Sequence, residues 1–137
     1  MTNYVAVIDG KSGAYGAWFP DLPGCAAMGG SIDSLLRNAA DAMREWAEVV
    51  VEKGERVPEP RPLETLRETP EVAEAIAEGA LLRGVPLILA TGKPKKANLS
   101  IDAGVLAAID VEAARRGLTR SAFVEWLARH ALAEIAL

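Results

Sequence analysis

The sequence of 137 residues has one cysteine, one histidine and few aromatic side chains, which make up 5% of the chain. Cys25 has no second cysteine for an internal disulfide, and Cys25 with His130 cannot supply a His/Cys metal cluster. No apolar run approaches the roughly 18 residues that a membrane span needs, and the N-terminus does not resemble a signal peptide. We therefore expect a cytoplasmic protein without metal or cofactor, with Cys25 buried as a small hydrophobe and His130 on a helix surface.

The formal net charge of -4 is unevenly distributed along the chain. Residues 1–92 contain 8 Lys and Arg against 14 Asp and Glu, a net of -6, whereas residues 93–137 contain 7 against 5, a net of +2. The Gly, Pro and Lys-rich stretch Thr91–Lys96 between them is typical of a linker. We predict two domains, 1–92 and 93–137, of which only the second suits phosphate.

The first 92 residues predict an antiparallel meander that is covered by a long helix. Turn residues separate three β-rich stretches, Asn3–Asp9, Tyr15–Phe19 and Cys25–Met28. Apolar residues then recur every three or four positions between Ser31, a natural N-cap, and Gly54, a plausible stop. A Pro-rich connection, a short acidic helix capped by Thr69 and a last strand at Leu81–Ala90, interrupted by Pro86 and therefore at a sheet edge, complete an α+β domain.

The tail predicts a strand followed by two helices. In the strand Lys96–Ile101, the residues Ala97, Leu99 and Ile101 share one face, and Lys96, Asn98 and Ser100 share the other. Asp102 and Thr119 are suited to cap the two helices, and Gly117 lies between them.

A lone strand with two helices leaves its backbone groups unpaired and buries too little apolar surface to be stable alone. Two copies related by a two-fold axis can pair their strands antiparallel, with the polar side chains facing outward. The major groove of DNA accepts such a ribbon, and Lys96, Asn98 and Ser100 carry groups that can bond to base edges. Thr119, Arg120 and Ser121 would offer donors and one cation to a phosphate. We predict a DNA-binding homodimer.

With these features, residues 96–132 resemble the ribbon-helix-helix family of DNA-binding proteins. The resemblance lies in the alternating strand, the glycine at Gly117 and the Thr-Arg-Ser start of the second helix. Gly104 departs from a good helix start because glycine weakens a first turn. The alternative for these residues is a helical hairpin that serves dimerisation only.

The whole chain resembles HicB-type antitoxins of type II toxin–antitoxin systems, through WFPDLPG at Trp18–Gly24, Cys25, the long helix and the Pro-rich connection in matching order. The resemblance implies a reduced ribonuclease-H-like front domain that covers the active site of a small, basic, mRNA-cleaving HicA-type toxin. It implies that the tail represses transcription of the chain's own operon. Our candidate toxin contacts are Trp18, Phe19, Asp21 and Leu22, for which a place in the core is the alternative.

Two other functions remain open from the sequence. One is a ribbon-helix-helix repressor whose front domain senses a small molecule. The other is a nuclease, which would need several carboxylates to converge on metal ions. Asp9 and Asp21 are available, but side chains at such turn positions more often cap the turn, and we predict that the chain is not an enzyme. Whether dimers pair into tetramers through their front domains is also open.

Overall fold

The front part of the chain is built on an antiparallel sheet of four strands. In a computed structural model that describes residues 1–135, the strands are β1 (Thr2–Lys11), β2 (Ala14–Trp18), β3 (Ala26–Gly29) and β4 (Leu81–Leu87). Their order across the sheet is β3-β2-β1-β4. The predicted meander and the edge position of the last strand are confirmed, although this strand ends at Leu87 and not at Ala90. Pro86, which cannot donate, lies opposite Asn3 at the end of the ladder.

The hairpin between β1 and β2 depends on glycine at Gly10. Its φ of +92° lies in the left-handed region, and a Cβ there would lie 2.2 Å from the carbonyl oxygen of Ala14. No side chain fits this turn, so Gly10 sets the register in which Val7 pairs with Trp18.

Helix α1 (Ile32–Glu52) covers one face of the sheet. Ser31 begins it as predicted, since its side chain accepts a hydrogen bond from the Ser34 amide while the Ser34 hydroxyl accepts one from the Ser31 amide. Lys53 is the C-cap, and Gly54 follows with a φ of +77°. The buried positions of the helix are Leu35, Leu36, Ala39, Met43 and Ala47. They pack with Tyr4, Ala6, Ile8 and Val85 of the sheet to form the core.

The Pro-rich connection leads into two short helices, of which the sequence predicted one. Helix α2 (Leu63–Glu68) was missed, whereas α3 (Pro70–Ala77) begins with Pro70 as expected. Thr69 does not cap α3 through its side chain. Its hydroxyl instead donates to the carbonyl oxygen of Leu66 at 2.7 Å, because Thr69 also ends α2.

The tail forms a helical hairpin of α4 (Ala103–Arg115) and α5 (Arg120–Ile135). Asp102 caps α4 as predicted, accepting from the amides of Gly104 and Val105, and Gly117 turns between the helices with a φ of +68°. Residues 93–102 carry no helix or strand in this single chain. The predicted strand needs a second copy for its hydrogen bonds, so its formation stays a prediction.

Helix α5 rests on the front domain instead of standing free. It packs against α1 and the edge of β4. Glu134 forms an ion pair with Arg37 of α1, and its carbonyl oxygen accepts a hydrogen bond of 2.6 Å from Arg83 Nη2 of β4. Within residues 1–135, no helix is both long and apolar enough to cross a membrane.

Candidate partner and nucleic-acid interfaces

The turn after β2 is a rigid part of the core. The amide of Leu22 donates to the carbonyl oxygen of Phe19 at 3.1 Å, and the amide of Cys25 donates to that of Leu22 at 2.9 Å. Phe19 and Leu22 are 2% and 0% exposed, and Cys25 is buried as expected. Burial raises the pKa of the Cys25 thiol to about 11, which keeps it neutral and unreactive.

Asp21, in the same turn, is the one buried charged side chain among residues 1–135. Its carboxylate accepts a hydrogen bond of 3.0 Å from the backbone amide of Arg61 and one of 2.5 Å from Arg61 Nε. It therefore holds the Pro-rich connection against the turn, where the sequence had suggested capping of the turn itself. Tyr4 holds the same connection, since its hydroxyl donates to the carbonyl oxygen of Pro58 at 2.6 Å.

These positions correct the predicted toxin contacts. Phe19, Asp21 and Leu22 lie inside the domain, because Phe19 and Leu22 fill the core and Asp21 is engaged by Arg61. As folded, they cannot form a contact surface. Trp18 is half-buried and borders an open cleft of about 360 Å³ that Pro20, Pro23 and Glu71 also line. Of the four predicted side chains, Trp18 alone retains a surface that a partner could touch.

An acidic face lies beside this cleft, and sequence reasoning missed it. Five carboxylates at spacings of three or four residues along α2 and α3 are exposed, and none joins an ion pair within the described part of the chain. They are Glu64, Glu68, Glu71, Glu74 and Glu78. Helical spacing of like charges was the signal that could have found them. We call this set the acidic face.

The predicted base-reading residues lie in an exposed segment. Lys96, Asn98 and Ser100 are all exposed, and so are the apolar residues between them, with Leu99 at 69% and Ile101 at 37%. On the helices, Val105 and Val111 are 53% and 70% exposed. A single chain thus leaves an apolar surface uncovered next to a row of polar side chains.

The start of α5 is preorganised by its own hydrogen bonds. The Thr119 hydroxyl accepts from the Ala122 amide at 3.1 Å, so Thr119 caps the helix as predicted. Arg120 forms a two-pronged ion pair with Asp110 of α4, with both N···O distances 2.8 Å, and this contact lowers the pKa of Asp110. Ser121 is exposed. Before it could contact a phosphate, Arg120 would have to exchange or share the carboxylate of Asp110.

A nuclease centre has no support in this geometry. Asp9 is exposed on β1 and the carboxylate of Asp21 is bound to Arg61. Among residues 1–135, no group of three or more His, Cys, Asp or Glu side chains could hold a metal ion.

Comparisons with known proteins agree with this fold. The family model of the HicB-like antitoxin of bacterial toxin–antitoxin systems matches residues 4–128. The crystal structure of the Burkholderia pseudomallei antitoxin HicB is 33% identical, covers 96% of this chain and 99% of its own, and has a TM-score of 0.56. The crystal structure of antitoxin HicB3 is 29% identical over 96% of this chain and 98% of its own, with a TM-score of 0.55.

A third similar structure corresponds to the front part of this chain alone. The N-terminal domain of the Burkholderia pseudomallei antitoxin HicB is 29% identical, covers 64% of this chain and all of its own length, and has a TM-score of 0.52. With a family model that spans most of its length and α+β structures like its own, the chain belongs to the family of HicB-like antitoxins of bacterial toxin–antitoxin systems.

Proposed function

We propose that the chain neutralises a small, basic, HicA-type mRNA-cleaving toxin with residues 1–92, and represses its own operon with a dimer of residues 93–137. The observation that carries the proposal is the exposed alternating segment 96–101, ahead of a capped helical hairpin, in a chain of the HicB-like family. The similar N-terminal domain, which was crystallised on its own, supports a boundary near residue 92. The chain acts by binding and not as an enzyme.

Exposed apolar side chains support the homodimer. Leu99 and Ile101 alternate with polar residues, so an antiparallel pairing of two segments would place them against the helices. The same pairing would give the backbone groups of residues 96–101 their partners and would turn Lys96, Asn98 and Ser100 toward the major groove. Thr119, Arg120 and Ser121 would then lie at the flanking phosphates.

Two substitutions separate base reading from phosphate contact. We expect Asn98→Ala to weaken binding to DNA from upstream of the gene by about 1–3 kcal/mol, with little change for unrelated DNA of equal length. Arg120→Ala should weaken binding to both DNAs alike and lower the salt dependence by about one phosphate contact. Fluorescence anisotropy at several salt concentrations measures both, and sedimentation checks that the dimer is intact. Equal loss on both DNAs for Asn98→Ala would reject base reading.

For the toxin, we propose a surface formed by Trp18 and the acidic face. A toxin whose surface holds RNA carries positive charge, and the five unpaired carboxylates are complementary to it. The indole ring of Trp18, at the adjoining cleft, can receive an apolar or cationic side chain. The front domain would then inhibit the toxin by covering its active site.

Charge reversal tests this surface. The double variant Glu71→Lys and Glu74→Lys should reduce toxin affinity at least tenfold and reduce the association rate most at low salt, since exposed charges steer encounter. The matched control is Glu52→Lys with Glu55→Lys, two exposed positions around the end of α1 that carry the same change in net charge. An equal effect of both pairs in surface plasmon resonance would show a general charge effect and reject the assignment.

A further inference from the structure

His130, the chain's sole histidine, lies where α5 meets α1, which corrects the expectation of a helix-surface residue. Its side chain is 14% exposed. Nδ1 lies 2.7 Å from the carbonyl oxygen of Trp126, and Nε2 lies 3.3 Å from Oδ2 of Asp41. A carbonyl oxygen and an ionised carboxylate are both acceptors, so both nitrogens of the ring face acceptors.

The two contacts make different demands on the imidazole ring. A neutral ring carries one N–H and can donate to one of the two oxygens, whereas the imidazolium carries two and can donate to both. Histidine is also the side chain whose charge ordinarily changes between pH 5 and 8. The arrangement around His130 is therefore complete in the protonated form alone.

The charged groups around the ring come from every element packed against it. On α1, Arg44 lies 3.7 Å from the other oxygen of Asp41, and Arg37 pairs with Glu134. On β4, Arg83 donates to the Glu134 carbonyl oxygen. The remaining groups are Arg129 on α5 and Arg116 after α4. Arginine keeps its charge throughout this pH range, so protonation of His130 changes a contact that the arginines hold constant.

A continuous series of contacts joins this interface to the turn before α5. The guanidinium of Arg116 lies 4.4 Å from the centre of the Trp126 ring, whose other neighbour is the His130 ring at 4.2 Å. His130 then contacts Asp41 of the front domain. The hairpin that carries Thr119, Arg120 and Ser121 is thus connected to α1 through side chains in contact.

We propose that α5 is docked on α1 by a proton-dependent clamp, in which charged His130 bridges the Trp126 carbonyl group and Asp41 and holds the tail against the front domain. Neutral His130 loses one of the two hydrogen bonds, and the orientation of the tail relative to the front domain becomes less restricted. The clamp is a property of the folded chain itself. It goes beyond the proposed function and does not depend on a toxin or on DNA.

Hydrogen exchange of the full-length chain tests the clamp. After correction for the intrinsic pH dependence of exchange, we expect the amides of residues 129–135 to exchange about fivefold faster at pH 8 than at pH 5.5, with little change in α1. Asp41→Asn should remove this ratio, because an amide side chain can donate to a neutral ring or accept from a charged one. His130→Gln should remove it as well, since the titrating group is gone.

Glu134→Gln is the control, because it removes the ion pair with Arg37 but leaves the ring and the Glu134 carbonyl group in place. It should speed exchange at both pH values and keep the wild-type ratio. Equal corrected exchange of the wild-type chain at the two pH values would overturn the proposal. So would a wild-type ratio in Asp41→Asn or His130→Gln. None of these outcomes bears on toxin or DNA binding, which are measured separately.

Discussion

At the scale of single residues, Asp21 illustrates how a charged side chain can belong to the interior. It is 8% exposed, and its carboxylate binds both the backbone amide and the Nε of Arg61. Arg61 is 44% exposed, so the pair lies at the edge of the core with the acid inside and the cation outside. Loss of the acid would leave a backbone donor of the Pro-rich connection without its partner.

We therefore predict that Asp21→Ala lowers the free energy of unfolding by about 1–3 kcal/mol. Urea denaturation followed by circular dichroism measures the loss. Asp9→Asn is the control, since Asp9 is exposed and makes no hydrogen bond among the described residues. A loss for Asp21→Ala no larger than that of the control would contradict the role of Asp21 as the anchor of the connection.

The same residue marks what sequence reasoning could not reach. The motif WFPDLPG predicted a turn and its place in the chain, which the structure confirms. It did not show that Asp21 faces Arg61, 40 positions later, because pairing across a loop depends on the path of the chain and not on local pattern. Burial of Phe19 and Leu22 follows from the same path, and it removed them from the candidate contacts.

At the scale of elements, local signals were reliable where helix caps and turns carry them. Ser31, Asp102, Thr119 and Gly117 act at the helix ends as predicted, because a cap needs side chains only a few residues apart. The six-residue α2 was missed because it lies beside three prolines and is too short for a periodic pattern. The strand at residues 96–101 remains a prediction, since its bonds lie between chains.

A cluster at the end of α4 predicts how the tail responds to acid. Glu112 accepts hydrogen bonds from Arg115 and Arg116, which lower the pKa of its carboxyl group to about 2 from an ordinary 4.5. A depressed pKa stabilises the folded tail above the unfolded value, and this contribution is lost as the pH falls from about 4.5 toward about 2. Because the cluster is exposed, salt should weaken it.

We predict that Glu112→Gln lowers the stability of the tail at pH 7 and reduces the further loss between pH 5 and pH 3, relative to wild type. Thermal melts at the two pH values, in low and in high salt, measure the difference. Glu125→Gln is the matched control, since Glu125 on α5 meets Arg129 at 3.7 Å only. If Glu112→Gln loses as much stability on acidification as wild type, the cluster does not stabilise the tail.

At the scale of the whole molecule, the chain combines surfaces of opposite charge. The front domain carries the net negative charge and the acidic face, while the tail carries the net positive charge and the exposed alternating segment. The sequence predicted this division from composition alone. It could not predict that α5 rests on α1 and β4, because Arg37, Arg83 and Glu134 are far apart in the chain and meet only in the folded protein.

The most direct test of the proposed antitoxin function is co-expression with the small reading frame next to the gene, which would encode the HicA-type toxin. We predict that the toxin alone arrests growth, that the full chain restores it, and that the two proteins co-purify as a complex. The front domain, residues 1–92, should suffice for rescue if it carries the inhibitory surface. Absence of both rescue and a complex with the full chain would contradict the account.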